Sequence, residues 1–205
     1  MKNVAIQNLE AQGHTVTVSD LYGQGFSAVA QKWDFVTTSG QHFNYMLEQK
    51  HSAQLQNAFS PDIIGEIQKL QAADALLIIT PLWWSSAPAI LKGWFDRVLA
   101  MGVTWDTGKI YENGLMRGKQ AMLAVAGGHP TDYYKPKGRH MVSAEQALHH
   151  INHDTLAFCG FNVQEPFVAL NLLGQTQEVL DKALRDWSFR VQNFIGSPLW
   201  LTFYS

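Results

Sequence analysis

Charge is scarce in this chain of 205 residues. Asp, Glu, Lys and Arg make up 16% of it, against roughly a quarter in an average soluble domain. Fifteen basic and seventeen acidic residues leave a net charge of −2, so there is no electrostatic footprint for nucleic acid and no basic stripe for an anionic membrane. Cysteine is almost absent. Cys159 stands alone, which excludes an internal disulfide and fits a reducing compartment. No apolar run approaches the roughly 20 residues of a membrane span. The opening MKNVAIQNLEAQG lacks the apolar block and small-residue cleavage site of a secretory signal. A cytoplasmic protein without membrane insertion is expected. There is no internal repeat and no charged linker, and G-x-G-x-x-G, the P-loop, G-x-S-x-G and paired C-x-x-C are all missing. What is plentiful is core material: 46% hydrophobic and 12% aromatic residues, enough for one domain over residues 1–205. The low charge also suggests that some surface is covered by a partner subunit.

Hydrophobic periodicity gives the elements. Residues 1–12 read as a helix with Val4, Ala5 and Leu9 on one face and Gly13 at its C-terminal cap. His14 to Val18 (HTVTV) alternates and is β-branched, which predicts a strand. Residues 20–59 have no clean period and read as long connections with one short helix. Ser60-Pro61-Asp62 is a helix start, with a capping hydroxyl, proline at the first helical position and an acid in the first turn. Ala75 to Thr80 (ALLIIT) and Ala121 to Ala126 (AMLAVA) are continuous apolar runs, as expected of strands covered on both faces. Between them, Ala89 to Met101 is helical. Ser143 with Gln146 forms a capping box for a helix through Phe158. Asn162 to Leu170 contains a further strand, Thr176 opens a last helix, and the tail is apolar. Strands alternating with helices predict an α/β sandwich with a mostly parallel sheet.

In such sheets ligands sit beyond the carboxyl ends of the strands. Two loops leave strand ends there: Pro81–Pro88 (PLWWSSAP) and Gly127–His140. Trp83, Trp84, Ser85 and Ser86 offer stacking surface and backbone amides to a planar ligand, although paired indoles equally fill cores and interfaces. Gly127 and Gly128 let backbone approach a ligand closely, or serve only the turn. Tyr133, Tyr134 and His140 place phenols and an imidazole on one loop, a pairing able to relay a proton but also common on surfaces. His149 and His153 are four apart and share a helical face, a spacing that could hold zinc or copper. No cysteine or carboxylate pair of matching spacing lies near, and Asp154 points elsewhere on a regular helix, so no metal site is assigned. Cys159, within AFCGF, reads as a buried apolar residue.

Taken together, FSPDI, AADALLIITPLWWSSAPAILKGWFDRV, AGG followed by Tyr134 and His140, and LAFCGFNVQEP resemble the NAD(P)H:quinone oxidoreductases, flavoproteins of flavodoxin-like fold. The resemblance runs from Met1 to about Pro198. It implies a flavodoxin-like three-layer α/β sandwich and reduction of quinones or similar electrophiles by NAD(P)H in ping-pong two-electron steps. It also implies FAD as cofactor, with FMN as the alternative, and a homodimer. By position, Pro81, Leu82, Trp83, Trp84 and Ser85 would cradle the flavin ring, with Gly127 and Gly128 beside it. Tyr134 and His140 would stabilise charge during hydride transfer, with Tyr133 as competitor for the tyrosine. Trp105 and Thr107 stand where the family commonly has tyrosines, and Phe158 matches an aromatic near the substrate.

Met1 aligns within the family's first helix, so the fold is expected to be N-terminally truncated, without the first strand and the phosphate-binding loop. His14–Val18 would then pair directly with Ala75–Thr80, leave the gap to another segment, or expose an edge. Two functions follow as alternatives: the flavoenzyme, or a flavin-deficient, non-catalytic paralogue acting as an interaction or regulatory subunit.

Overall fold

The two apolar runs become neighbouring parallel strands. β1 (Ala75–Pro81) pairs with β2 (Gln120–Ala126) along its full length, from Ala75↔Gln120 to Pro81↔Ala126. The computed structural model describes residues 1–40, 42–56 and 58–195, so the apolar tail Leu199–Tyr204 lies outside the described residues. On the far side of β2 run β3 (Asn162–Val163) and β4 (Phe167–Ala169), both parallel to it. They are two pieces of one interrupted strand. Pro166, between them, has no N–H to give to a ladder.

β2 therefore lies at the centre and is covered on both faces. Ala121, Leu123 and Val125 enter one core with Phe59, Ile63, Ile67, Trp94, Phe95, Leu148 and Phe161. Met122 and Ala124 enter the other with Ala5, Leu9, Trp187, Val191 and Phe194. This period-2 partition is the pleat of a strand. The first face is roofed by α3 (Pro61–Ala72) and α4 (Ala89–Val98), with α2 (Tyr45–Gln54) in the long connection before them. The second carries α1 (Lys2–Ala11) and the last helix, α7 (Gln177–Gln192). The indole of Trp187, fully buried, donates to the Met1 carbonyl at 3.0 Å, and the Gln192 side chain donates to Asn8 Oδ1 at 2.6 Å.

Three expectations need correction. His14–Val18 is not a strand: its residues join no ladder, and Val16 instead packs on the face that carries Ala75, Leu77 and Ile79. Among the described residues β1 accordingly pairs with β2 alone, the exposed-edge outcome. Alternation described the strip of surface that segment covers, not its backbone pairing. Ser60 does precede α3, but its hydroxyl donates to Asp62 Oδ1 at 2.5 Å rather than accepting from the helix. The helix expected over 143–158 is broken. α5 (Ala144–Ala147), capped as predicted by the reciprocal Ser143–Gln146 bonds, is followed by α6 (His149–Ile151) and a π-helical turn over Asn152–Ala157.

Candidate active site

Because all strands run parallel, Pro81, Ala126 and Ala169 align at one end of the sheet. Their loops leave together, and the Leu82 amide donates to the Ala126 carbonyl at 2.8 Å, tying the first loop to the root of the second. The first loop then makes a two-residue reversal. Trp83 and Ser86 exchange backbone hydrogen bonds at 2.9 Å, with Trp84 at φ +52° and Ser85 at +56°. Positive φ at both central residues is the type I′ turn. For residues with a Cβ that geometry costs roughly 1–3 kcal/mol each, so the surroundings must hold it.

Two side-chain bonds do so. Ser85 and the Tyr134 hydroxyl share a hydrogen bond at 3.2 Å, joining first loop to second. Ser86 Oγ lies 2.8 Å from His150 Nε2, joining the first loop to α6. His150 Nδ1 donates to the Ala147 carbonyl at 2.9 Å, which leaves Nε2 of the neutral ring to accept the Ser86 proton. The turn presents Trp84, fully exposed, and Trp83, half exposed. Among the described residues the amides of Trp84 and Ser85 have no hydrogen-bond partner.

The second loop folds back on itself, with the His140 amide donating to the Tyr133 carbonyl at 2.9 Å. Tyr134 is buried and stacks on His140 with centroids 4.3 Å apart and planes at 27°, and His140 stacks in turn on His129 at 5.6 Å. Tyr133 lies to one side, tilted against His129 and His140 and covered by the Arg139 guanidinium at 5.1 Å. The tyrosine tied to the first loop is thus Tyr134. His140 Nε2 is buried with no partner among the described residues. A buried polar atom left unpaired costs on the order of 1–3 kcal/mol, and a water or a ligand can supply the missing bond.

Gly127 and Gly128 lie against the 170–173 loop. A Cβ on Gly127 would meet Leu170 Cδ2 at 2.9 Å, and one on Gly128 would meet Leu173 Cβ at 3.1 Å. The Gly127 amide donates to Ala169 at 2.8 Å and its carbonyl accepts from Leu172 at 3.2 Å. What approaches these glycines closely is the 170–173 loop. Behind Tyr134 lies a cavity of about 140 Å³, lined by Thr131, Ala144, Glu145, Val168 and Leu170 as well.

The remaining expected residues form a second group. Trp105, whose indole donates to the Leu99 carbonyl at 3.0 Å, meets Phe158 edge-on at 5.4 Å, and Phe158 meets Tyr111 at 5.4 Å. Thr107 is exposed beside it. Cys159 is in the core, where burial pushes its thiol up to about 11 against the opposing pull of the Thr104 hydroxyl. It is no nucleophile at neutral pH. Sequence reasoning missed His129 and His150, and the side-chain role of Ser86.

A family model for the flavodoxin-like fold matches residues 1–191. Ribosyldihydronicotinamide dehydrogenase [quinone] from Homo sapiens is 39% identical over 194 residues, covering 94% of this chain and 83% of the relative. This chain belongs to the flavodoxin-like quinone oxidoreductase family. NAD(P)H dehydrogenase [quinone] 1 from Cavia porcellus, another relative, is 34% identical over 94% of this chain and 70% of its own length. Among solved structures, a quinone reductase from Klebsiella pneumoniae superposes with a TM-score of 0.90 at 32% identity, covering 97% of this chain and 79% of that one.

Proposed function

We propose that the protein is a flavin-dependent NAD(P)H oxidoreductase that reduces quinones or similar electrophiles by a ping-pong two-electron cycle, with FAD as its flavin. One observation carries this reading. At the carboxyl ends of β1 and β2, the unpaired Trp84 and Ser85 amides stand beside the Tyr134–His140 stack and are bonded to it through Ser85. The flavin supplies hydride acceptance and donation, and the protein supplies orientation and electrostatics. The two amides fit the acceptor-rich edge of an isoalloxazine, and the Trp83 and Trp84 indoles give it an apolar bed. The Tyr134 hydroxyl and the His140 imidazole hold a proton near that edge and stabilise negative charge there. The low charge and the exposed Trp33, Val36 and Phe189 side chains favour a homodimer, in which one copy's Trp105–Phe158–Tyr111 group would complete the other copy's substrate pocket. Among the described residues no helix is long and apolar enough to cross a membrane, and we place the dimer in the cytoplasm.

The test is titration of the purified protein with FAD and, separately, FMN, followed by NADH, NADPH or ribosyldihydronicotinamide oxidation with a soluble quinone. Saturable binding tighter for FAD is expected. Tyr134→Phe and His140→Ala should lower kcat by about 10²-fold, the lower range for a positioned proton-transfer group, while flavin still binds. A sample that takes up neither flavin and oxidises no dihydronicotinamide overturns the enzyme reading in favour of a non-catalytic subunit.

A further inference from the structure

We propose that Arg139 determines which reductant the protein takes: it grips the phosphate next to the nicotinamide ribose, and so favours phosphate-bearing dihydronicotinamides over the bare riboside. The inference rests on the NAD(P)H reading above and names the feature of the reductant that the site selects. Charge is scarce in this chain, yet three of its fifteen basic residues, Lys135, Lys137 and Arg139, fall within five positions. Those positions lie between Tyr134 and His140, so the segment that carries the cations is the one that joins the two stacked residues of the site. Lys135 is neutralised by Asp132, 2.7 Å away. Lys137 and Arg139 are exposed, and among the described residues no carboxylate pairs with either. Positive charge therefore stands uncompensated at the rim of the site.

The Arg139 guanidinium is also held in place. It lies over the Tyr133 ring, 5.1 Å from its centroid, where the negative face of the ring attracts it. Tyr133 in turn leans on His140 at 5.9 Å and on His129 at 5.7 Å, so a single ring separates the guanidinium from the His140 imidazole. The backbone beneath is tightly wound. The Gly138 amide donates to the Lys135 carbonyl at 2.8 Å, and a Cβ on Gly138 would overlap the carbonyl oxygens of Asp132 at 2.5 Å and Tyr133 at 2.6 Å. A planar guanidinium offers its N–H groups as a fork that takes two oxygens of a phosphate at once. In a dihydronicotinamide nucleotide the first phosphate stands one ribose away from the ring that gives up hydride. A nicotinamide seated at the Tyr134–His140 stack would carry that phosphate outward to the rim, where Arg139 stands and Lys137 adds longer-range attraction.

The experiment compares reduced nicotinamide mononucleotide with ribosyldihydronicotinamide, which differ by that one phosphate, on the flavin-loaded protein; NADH and NADPH serve as dinucleotide arms. Arg139→Ala should lower kcat/KM about 10-fold, equivalent to about 1.4 kcal/mol, for the mononucleotide and both dinucleotides, and less than about 2-fold for ribosyldihydronicotinamide. The loss should fall on KM, as expected when binding common to ground and transition states is removed. Arg139→Lys should recover only part of it, since an ammonium makes no bidentate pair, and Tyr133→Leu should reproduce part of it by releasing the guanidinium. Calorimetry with oxidised nicotinamide mononucleotide and nicotinamide riboside needs no turnover: the mononucleotide should bind about 10-fold tighter to the wild type, and the two should bind alike in Arg139→Ala. Flavin absorption of each variant checks that the site is intact. An equal loss with all four reductants would mean that Arg139 acts by placing His140, and overturns the proposal. So does a loss confined to NADPH, which would put the contact at its 2′-phosphate, and so does a wild type that binds mononucleotide and riboside alike. A protein that prefers the mononucleotide in calorimetry but oxidises none of the four leaves this proposal standing and overturns the enzyme reading instead.

Discussion

Arg97 should be the most costly single side chain to remove outside the apolar core. It lies at the end of α4, 2% exposed, facing Asp34, 1% exposed. The guanidinium donates twice to that carboxylate, from Nε at 3.0 Å and from Nη2 at 2.8 Å. Its Nη1 donates to Asp62 Oδ2 at 2.7 Å and to the Ser27 carbonyl at 3.0 Å, and the Phe26 ring lies 4.8 Å from its centre. One residue thus fastens the irregular 20–59 connection and the start of α3 to the helix that follows the Trp83–Ser86 turn. Arg97→Met keeps the stem volume, so the cavity penalty is small and the loss is electrostatic. Removing one partner of a buried pair costs about 3–5 kcal/mol, because the other charge is left behind. Among the described residues the Asp34 carboxylate would retain only the Tyr45 hydroxyl at 2.6 Å and the Gln31 amide at 3.1 Å. At about 2–4 °C per kcal/mol for a chain of this size, the melting temperature should fall by roughly 6–20 °C. Urea unfolding followed by tryptophan fluorescence gives the free energy directly. Adding Asp34→Asn to Arg97→Met removes the stranded charge and should recover part of the loss. Arg97→Lys should not, since a single ammonium with three N–H groups cannot serve four acceptor atoms arranged around a planar fork. A cost under ~1 kcal/mol for Arg97→Met, the level of an exposed pair, would refute the reasoning. So would a double variant whose loss equals the sum of the two single losses.

Two further outcomes can be checked by the same unfolding measurements. Burial pushes the Asp62 and Glu66 carboxyls up, but Ser60 and Arg97 on the first, and Lys69 and Trp94 on the second, outweigh it and hold both below their ordinary values of 3.8 and 4.5. The unfolded chain therefore binds these protons first, so the stabilisation is complete above about pH 5 and is lost as pH falls through the folded values; the urea midpoint should drop below that pH, less steeply in Arg97→Met, and an equal slope in both proteins would count against the assignment. A Cβ at Gly93 would overlap the backbone of Ala28, so Gly93→Ala should destabilise by more than the few tenths of a kcal/mol typical of surface substitutions, despite alanine's higher helix propensity, and a neutral or stabilising result would refute this close approach.

What the sequence disclosed, and what it hid, follows from the range of each interaction. β1 and β2 were legible because burial on both faces forces an unbroken apolar run, and the Ser143 capping box because it is completed within four residues. Placing Trp83–Ser85 and Tyr134/His140 at one end of the sheet needed only the rule that parallel strands deliver their loops together. His14–Val18 misled because alternation reports which side chains meet a core, and Val16 meets one without any strand beside it. The π-turn was invisible for a related reason. A 3.6-residue period assumes its own helix, so Asp154 was assigned to the wrong face when one widened turn brought its carboxylate to 3.8 Å from His149 Nε2. The Ser86–His150 bond spans 64 positions and leaves no local pattern in either partner. Yet the strained Trp84–Ser85 turn depends on it, since two left-handed residues together cost roughly 2–6 kcal/mol, more than the single Ser85–Tyr134 bond can offset. Local periodicity can therefore locate the loops of this site, but their shape is set by bonds between residues far apart in the chain.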